Sequence, residues 1–373
     1  MKTQVSIVKC RDYQPDLVEA GVRQAVDLVG GVSNFIKPRS KVLVKPNLLM
    51  AKEPEFGITT HPEVVRATVR LLKEIDCKIF LGDGPSVWGN QIENVDEVYE
   101  RTGMAGLCRQ EGIELVKFDK RRMRKNFPLT TWLDECDHLV NIPKFKTHEF
   151  TLLTAGIKNL FGLVSGTYKT ELHKNYFEKA DFARILVDIY QETRPALTIV
   201  DAILAMEGDG PGTGGRLRKA DLSLASPDCV ALDSVLALLM GIKPLDVLST
   251  REAVSRGLGA SSMDAIAIKG ENLSGIGLKP FLLPSSSPQR ELLPRPLVKI
   301  LKKMVRYVPY VQHQICIRCA ACIKSCPQKA ISMKNEGIVF DHRKCIACFC
   351  CQEVCPEAAI KIKKSLLAKM IGL

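Results

Sequence analysis

The feature that most restricts this chain is a cysteine run that occurs twice. Cys316-x2-Cys319-x2-Cys322-x3-Cys326-Pro327 returns as Cys345, Cys348, Cys351, Cys355 and Pro356, at a constant offset of 29 residues. Three close cysteines, a fourth a little further on and then a proline are the spacing that wraps a cubane of iron and sulfide. Where two such runs occur together, the fourth cysteine of each ligates the other cluster. The expected sets are Cys316, Cys319, Cys322 and Cys355 for one [4Fe–4S] cluster, and Cys345, Cys348, Cys351 and Cys326 for the second. Each proline turns the chain away and removes a backbone donor. Zinc sites use pairs of close ligands, and disulfide frameworks belong to short chains in oxidising compartments. Neither pattern suits these runs as well.

Residues 313–364 resemble bacterial-type ferredoxins that carry two [4Fe–4S] clusters, which implies single-electron transfer. Strands are expected over 330–333 and 359–362, one after each half. Ile315, Ile317, Ile323, Ile331, Val339, Phe340, Ile346, Val354 and Ile360 are expected to shield the clusters. Cys350 is an extra cysteine between two ligands. It reads as a small buried residue or as a substitute ligand after damage.

With 373 residues the chain has room for two or three domains and a proper core. Its hydrophobic content of 46% fits a globular protein. No apolar run reaches the length of a membrane span, and the first residues read as a strand rather than a leader. Six further cysteines (Cys10, Cys77, Cys108, Cys136, Cys229, Cys350) have no motif spacing, which fits a reducing cytoplasm. The net charge is +12, and residues 289–373 hold 16 Lys and Arg against five Asp and Glu. That end therefore carries a surplus of 11, leaving the remainder at +1. Part of the surplus offsets the anionic clusters. The rest suits an acidic redox partner protein or an anionic membrane surface. Nucleic acid is not expected, because no recognition helix or aromatic-interleaved basic motif is present.

Upstream, strands are expected over 5–8, 41–47, 78–81, 113–118, 138–142, 222–225 and 265–268. Helices are expected over 16–29, from 59–62 onward, near 95–108, and over 228–240 and 249–256. Strands alternating with helices predict an α/β fold on a mostly parallel sheet. Ligands of such sheets sit beyond the carboxyl ends of strands. Lys45, Asn47, Asp83, Lys144, Lys146, Asp201 and Glu207 fall there.

The densest stretch is Asn141-Ile142-Pro143-Lys144-Phe145-Lys146-Thr147-His148, continuing through Thr151 and Thr154 to Lys158-Asn159-Leu160-Phe161-Gly162. Its three lysines, threonines and histidine make an anion-binding composition, and His148 titrates near neutrality when unperturbed. An ordinary basic loop has the same composition. Residues 201–215 read as a glycine-rich loop. Gly210, Gly212 and Gly215 match G-x-G-x-x-G, but no helix follows, so the dinucleotide reading fails. The glycines instead let backbone approach a ligand or another loop closely. Glu207 and Asp209 read either as cation ligands or as turn caps.

Val44-Lys45-Pro46-Asn47-Leu48, Thr59-Thr60-His61-Pro62, Gly82-Asp83-Gly84, Pro143–His148, Lys158–Gly162, Asp201-Ala202-Ile203, Met206–Pro211 and Gly257-Leu258-Gly259 together resemble the family called domain of unknown function 362, often fused to a ferredoxin module. The resemblance implies the α/β fold and the fusion, and carries no catalytic residues.

The expected organisation is an α/β domain over 1–277, a Pro- and Ser-rich linker with a basic amphipathic helix (297–305) over 278–312, the ferredoxin domain over 313–364, and a tail over 365–373. Short basic helices either dock a neighbouring domain or lie on a membrane. Three functional readings remain open. The chain is an electron carrier or relay, or a ferredoxin-coupled oxidoreductase for a small anionic substrate, or a scaffold with structural clusters. In the second, Lys144, Lys146, His148 and Lys158 bind the anion or move protons.

Overall fold

A computed structural model describes residues 2–85, 87–88, 91–92, 94–166, 168–176, 178–285, 307–334 and 337–364. The first part is built on a ten-stranded sheet. Its strands are β1 (Thr3–Lys9), β2 (Lys41–Pro46), β3 (Lys78–Leu81), β4 (Glu114–Leu115), β5 (His138–Ile142), β6 (Lys144–His148), β7 (Leu152–Thr154), β8 (Leu197–Gly208), β9 (Gly215–Ser226) and β10 (Ile266–Gly270). Their order is β10-β1-β9-β8-β5-β2-β3-β4, with β6 joined to β8 and β7 to β6. Most neighbours are parallel. The exceptions are β9, antiparallel to β1 and β8, and β7, antiparallel to β6.

The strands are apolar on both sides because helices cover both faces. In β2, Val42 and Val44 enter one core with α1 (Pro15–Leu28), α2 (Pro62–Lys73), α3 (Val95–Arg101) and α4 (Met104–Glu111). Leu43, pointing the other way, enters a second core that includes α8 (Lys179–Thr193). The helices α5 (Trp132–Glu135), α6 (Gly156–Asn159) and α7 (Tyr168–Asn175) precede α8, while α9 (Cys229–Leu239) and α10 (Leu248–Ser255) follow it. A third core joins α9 to β1 and β9. Asp228 caps α9 by accepting from Val230 and Ala231 N–H at 2.8 and 3.0 Å, and Gly241 (φ 80°) ends it. Each large side chain this helix buries contributes roughly 1.5–3 kcal/mol.

The structure corrects three expectations. The helix expected near 95–108 divides into α3 and α4 at Gly103, whose φ of 78° interrupts helical geometry. The strand expected over 113–118 keeps only the two residues of β4. Residues 201–208, read as part of a glycine-rich loop, belong to β8, and Arg216–Arg218 to β9, so the loop is only 209–214. Cross-strand pairing down to Gly208 and Gly215 overrides the local glycine signals. The helix α8 and a hairpin between Arg121–Arg124 and Phe127–Thr130 were not foreseen.

The C-terminal part repeats itself. Strand β11 (Tyr307–Val311) pairs with β14 (Ile360–Lys364), and β12 (Ile331–Lys334) with β13 (Gly337–Phe340). Helices α11 (Ala321–Ser325) and α12 (Cys350–Glu353) follow the cysteine turns. Three pairs of non-glycine residues share positive φ at the 29-residue offset: Arg318 (56°) with Ala347 (52°), Ala320 (61°) with Phe349 (61°), and Lys329 (49°) with Ala358 (52°). Such left-handed backbone is uncommon outside glycine, so its recurrence in register marks an imposed turn. Between the two parts, residues 278–285 lie along the β8–β9 hairpin rather than forming a free spacer. Gly208 N–H donates to Leu282 O (2.7 Å), and Phe281 packs against Phe145 in a tilted arrangement with centroids 5.0 Å apart. The rest of the linker, the helix expected over 297–305 and the tail from 365 lie outside the described residues.

Candidate functional site

All eight motif cysteines are free thiols. Burial pushes the Cys322 thiol up to about 12, and Cys355, Cys319 and Cys316 push the same way. Burial likewise raises Cys351, with Cys348, Cys345, Cys322 and Cys326 adding to it. Cys322 thus lies near Cys316, Cys319 and Cys355, and Cys351 near Cys322, Cys326, Cys345 and Cys348. Backbone N–H groups point at sulfur: Ala330 to Cys326 (3.2 Å), Ala359 to Cys355 (3.1 Å) and Ala347 to Cys345 (3.4 Å). The first two stand at the same place in each repeat. Thiolate donors with N–H groups aimed at them fit an iron–sulfur cluster, whose potential such bonds tune. Among the described residues, no three His, Cys, Asp or Glu converge as a single metal ion would require.

Exposure varies among the eight: Cys319 is exposed, Cys316, Cys326 and Cys345 are half-buried, and Cys322, Cys348, Cys351 and Cys355 are buried. Of the apolar residues expected to shield the clusters, Ile315 (45%), Ile317 (62%) and Val339 (40%) are instead exposed, on the outer side of the domain. Ile331, Val354 and Ile360 are buried.

Helix α12, which carries Cys351, is seated on the first domain together with Cys355 just after it. Thr213 Oγ1 donates to Cys355 O. A Cβ on Gly212 would sit 2.6 Å from Glu353 O, so only glycine allows this approach. Glu353 Oε1 lies 3.4 Å from His148 Nε2. The glycines of the loop thus serve close contact with another backbone. Its acids hold the linker: Glu207 pairs with Arg218 (2.7 Å) and accepts from Leu282 N–H, and Asp209 accepts from Ser285 N–H (2.8 Å).

Beneath α12 is a chamber of buried cations. Strand β6 extends the line of β5 along β8, because Val140 and Asn141 face Leu197 and Thr198 while Lys144 faces Asp201. Its five residues are all buried, which corrects the reading of this stretch as a basic loop. Lys146 Nζ donates to Ile58 O (2.6 Å). Lys45 Nζ lies 2.7 Å from Asp83 Oδ1, the two groups 0% and 3% exposed. Lys169 Nζ donates to Gly84 O (2.6 Å) and Pro85 O (3.2 Å). Lys158 Nζ stands 5.2 Å from the Phe161 ring centroid and has no hydrogen-bond or ion-pair partner among the described residues. Burial pulls Lys158 below the usual lysine range and takes Lys169 to about 7. Burial pushes Lys146 well down, and Lys158 pushes it the same way. His148 falls well below its ordinary value through burial, then Lys158 and Lys146, so it is neutral. Its Nδ1 accepts from Phe150 N–H (3.1 Å), which leaves Nε2 facing Glu353. Burial raises Glu353 to about 7 against the pull of Lys158 and Lys146.

Lys144 is engaged elsewhere. Its amine lies 2.8 Å from Asp201 Oδ2 and donates to Tyr13 Oη (2.7 Å). Tyr13 in turn donates to Asp201 Oδ1 (2.7 Å) and stacks on His61 with centroids 3.7 Å apart. His61 N–H completes Asp201 (2.8 Å). Leu204 N–H also donates to Tyr13 Oη (3.2 Å); His61 stands in one of the family-like motifs, whereas Tyr13 stands in none.

Residues 42–237 match the family described as "Domain of unknown function (DUF362)", and residues 308–356 match the "4Fe-4S dicluster domain". The chain belongs to the DUF362 family. A relative is "Thylakoid-associated protein sll1697" of Synechocystis sp., 34% identical over 254 residues, which are 66% of this chain and 77% of the relative. The dicluster domain makes this DUF362 protein an iron–sulfur protein with an electron-transfer module. No described helix is long and apolar enough to cross a membrane.

The structure brings Lys146, His148 and Lys158 of this DUF362 protein into one chamber, together with Lys45 and Asp83. Lys169, His173 and Glu353, which also line it, were not singled out in the sequence. Glu353 and Lys169 sit in helices whose polar residues look like an ordinary solvated face, so only the fold reveals them.

Proposed function

We propose that the eight thiols hold two [4Fe–4S] clusters, an outer one on Cys316, Cys319, Cys322 and Cys355 and an inner one on Cys345, Cys348, Cys351 and Cys326. The chain is then a single-electron relay whose inner end lies against the chamber of the DUF362 domain. Held by these thiols, the clusters would supply single-electron chemistry. The exposed Cys319 side, rimmed by Ile315, Ile317 and Arg318, meets the outside partner. Cys348 and Cys351 are buried, and Cys351 shares helix α12 with Glu353, whose carboxylate faces His148. The observation that carries the reading is the seat of the second cysteine run on the first domain, where Gly212 meets Glu353 O and Thr213 donates to Cys355 O. The basic surplus of the C-terminal end supports an acidic redox protein as the partner. The name of the thylakoid-associated relative supports a second reading, in which the same surplus holds the chain at an anionic membrane surface.

Anaerobic preparations are expected to hold about eight irons per chain and to give a paramagnetic resonance signal after dithionite, with two interacting centres at full reduction. About four irons per chain, or none, overturns the two-cluster relay.

A further inference from the structure

Resting on the relay reading, we infer that the chamber beneath α12 binds a small oxyanion, a carboxylate or phosphate group, seated on Lys158 and Lys146. Four amines line it, those of Lys45, Lys146, Lys158 and Lys169, against the two carboxylates of Asp83 and Glu353. Buried charges are normally paired. Asp83 already serves Lys45. Glu353 does not complete the others, because its Oε1 makes no hydrogen bond and stands nearest His148. Lys169 is held by two carbonyls and Lys146 by one, while Lys158 has no polar partner among the described residues.

The chamber is not sealed on this side. Asn47, Gly84, Lys158 and Gly162 stay partly accessible, while Lys45, Asp83, Lys146 and His148 are buried. A Cβ on Gly162 would come within 2.7 Å of Lys45 Nζ, and one on Gly84 within 2.8 Å of Lys169 Nζ. Both glycines thus pack directly against the charged groups, and a side chain at either position would displace them. Asn47 Oδ1 is buried without a hydrogen bond, so the wall holds a polar atom that the protein alone does not satisfy. A small anion with its own hydroxyl or water would meet both needs: its oxygens accept from Lys158 and Lys146, and its donor reaches an orphaned oxygen. An apolar ligand or a cation would leave the surplus charge uncompensated.

The test is calorimetric titration of the anaerobic, cluster-loaded full chain with inorganic phosphate and, separately, with acetate, at constant ionic strength. At least one probe is expected to saturate one site per chain, and the two probes tell phosphate from carboxylate. Lys158→Met is expected to weaken that binding tenfold or more, and Lys158→Arg to keep part of it. Iron content and visible absorbance check that the variants fold; should Lys158→Met lose its iron, Lys158→Gln makes the comparison. No saturable binding of either probe, or equal binding by wild type and the Lys158 variant, overturns the inference. Because titration does not read electrons, a relay that fails the iron and resonance test with anion binding intact is told apart from a failure of the site.

Discussion

The buried ion pair of Lys45 and Asp83 shows what single residues decide here. Two charges leave water, and their attraction offsets the desolvation only while both are present. Asp83 also anchors Leu48 N–H at 2.8 Å, so the pair fixes the turn that follows β2. Lys45→Met strands a buried carboxylate and is expected to cost about 3–5 kcal/mol of stability. Adding Asp83→Asn, which keeps an acceptor for Leu48, is expected to restore much of that loss. Urea unfolding followed by circular dichroism measures both; a double variant as unstable as the single one would contradict the pairing argument. At this scale the sequence was legible only where ligand spacing is local. The motif cysteines could be picked out because each run is compact. Lys45, Asp83, Lys144 and Asp201 could be placed together beyond the strand ends, but not paired, since Asp201 is 57 positions from Lys144.

Elements were legible where periodicity and caps agreed. β3 and β5 match their expected bounds, and α1, α2 and α9 agree to within a few residues. The long hairpin of β8 and β9 was hidden because its glycines imitate a loop. Its tip is what seats the inner cysteine helix, so the misread stretch is also the functional one. A Cβ at Gly212 collides with Glu353 O, whereas Gly208 (φ 75°) has open space around it. Gly212→Val is therefore expected to lift α12 from the loop without removing the thiols. Hydrogen exchange of amides in 348–355 should rise at least tenfold in this variant, with iron content retained. Gly208→Ala pays only a backbone strain of about 1–3 kcal/mol and should leave those amides protected. Equal exchange in the two variants would mean that the contact does not hold the domains together.

The whole molecule is polarised. Its first domain is nearly neutral, its C-terminal end is basic, and within that end Cys319 is exposed while Cys348 and Cys351 are buried. On the proposed relay, an electron arriving from a partner meets the Cys319 side first. Arg318 is exposed beside Cys319, and Arg343 is 97% exposed in the second repeat. Charges so placed hold little stability, but they steer encounter, and steering is screened beyond about 10 Å at 0.1 M salt. Replacing both with Glu is expected to slow reduction by an acidic redox protein roughly tenfold at low salt. The gap should close as salt rises towards 1 M, where screening shortens to about 3 Å. Reduction by dithionite, a small reagent that needs no docking face, gives the reference rate for each variant. Stopped-flow absorbance of the clusters reads all of these rates. A deficit that persists unchanged at high salt would assign the two arginines to something other than steering, and partner docking would have to be sought on another face of the ferredoxin domain.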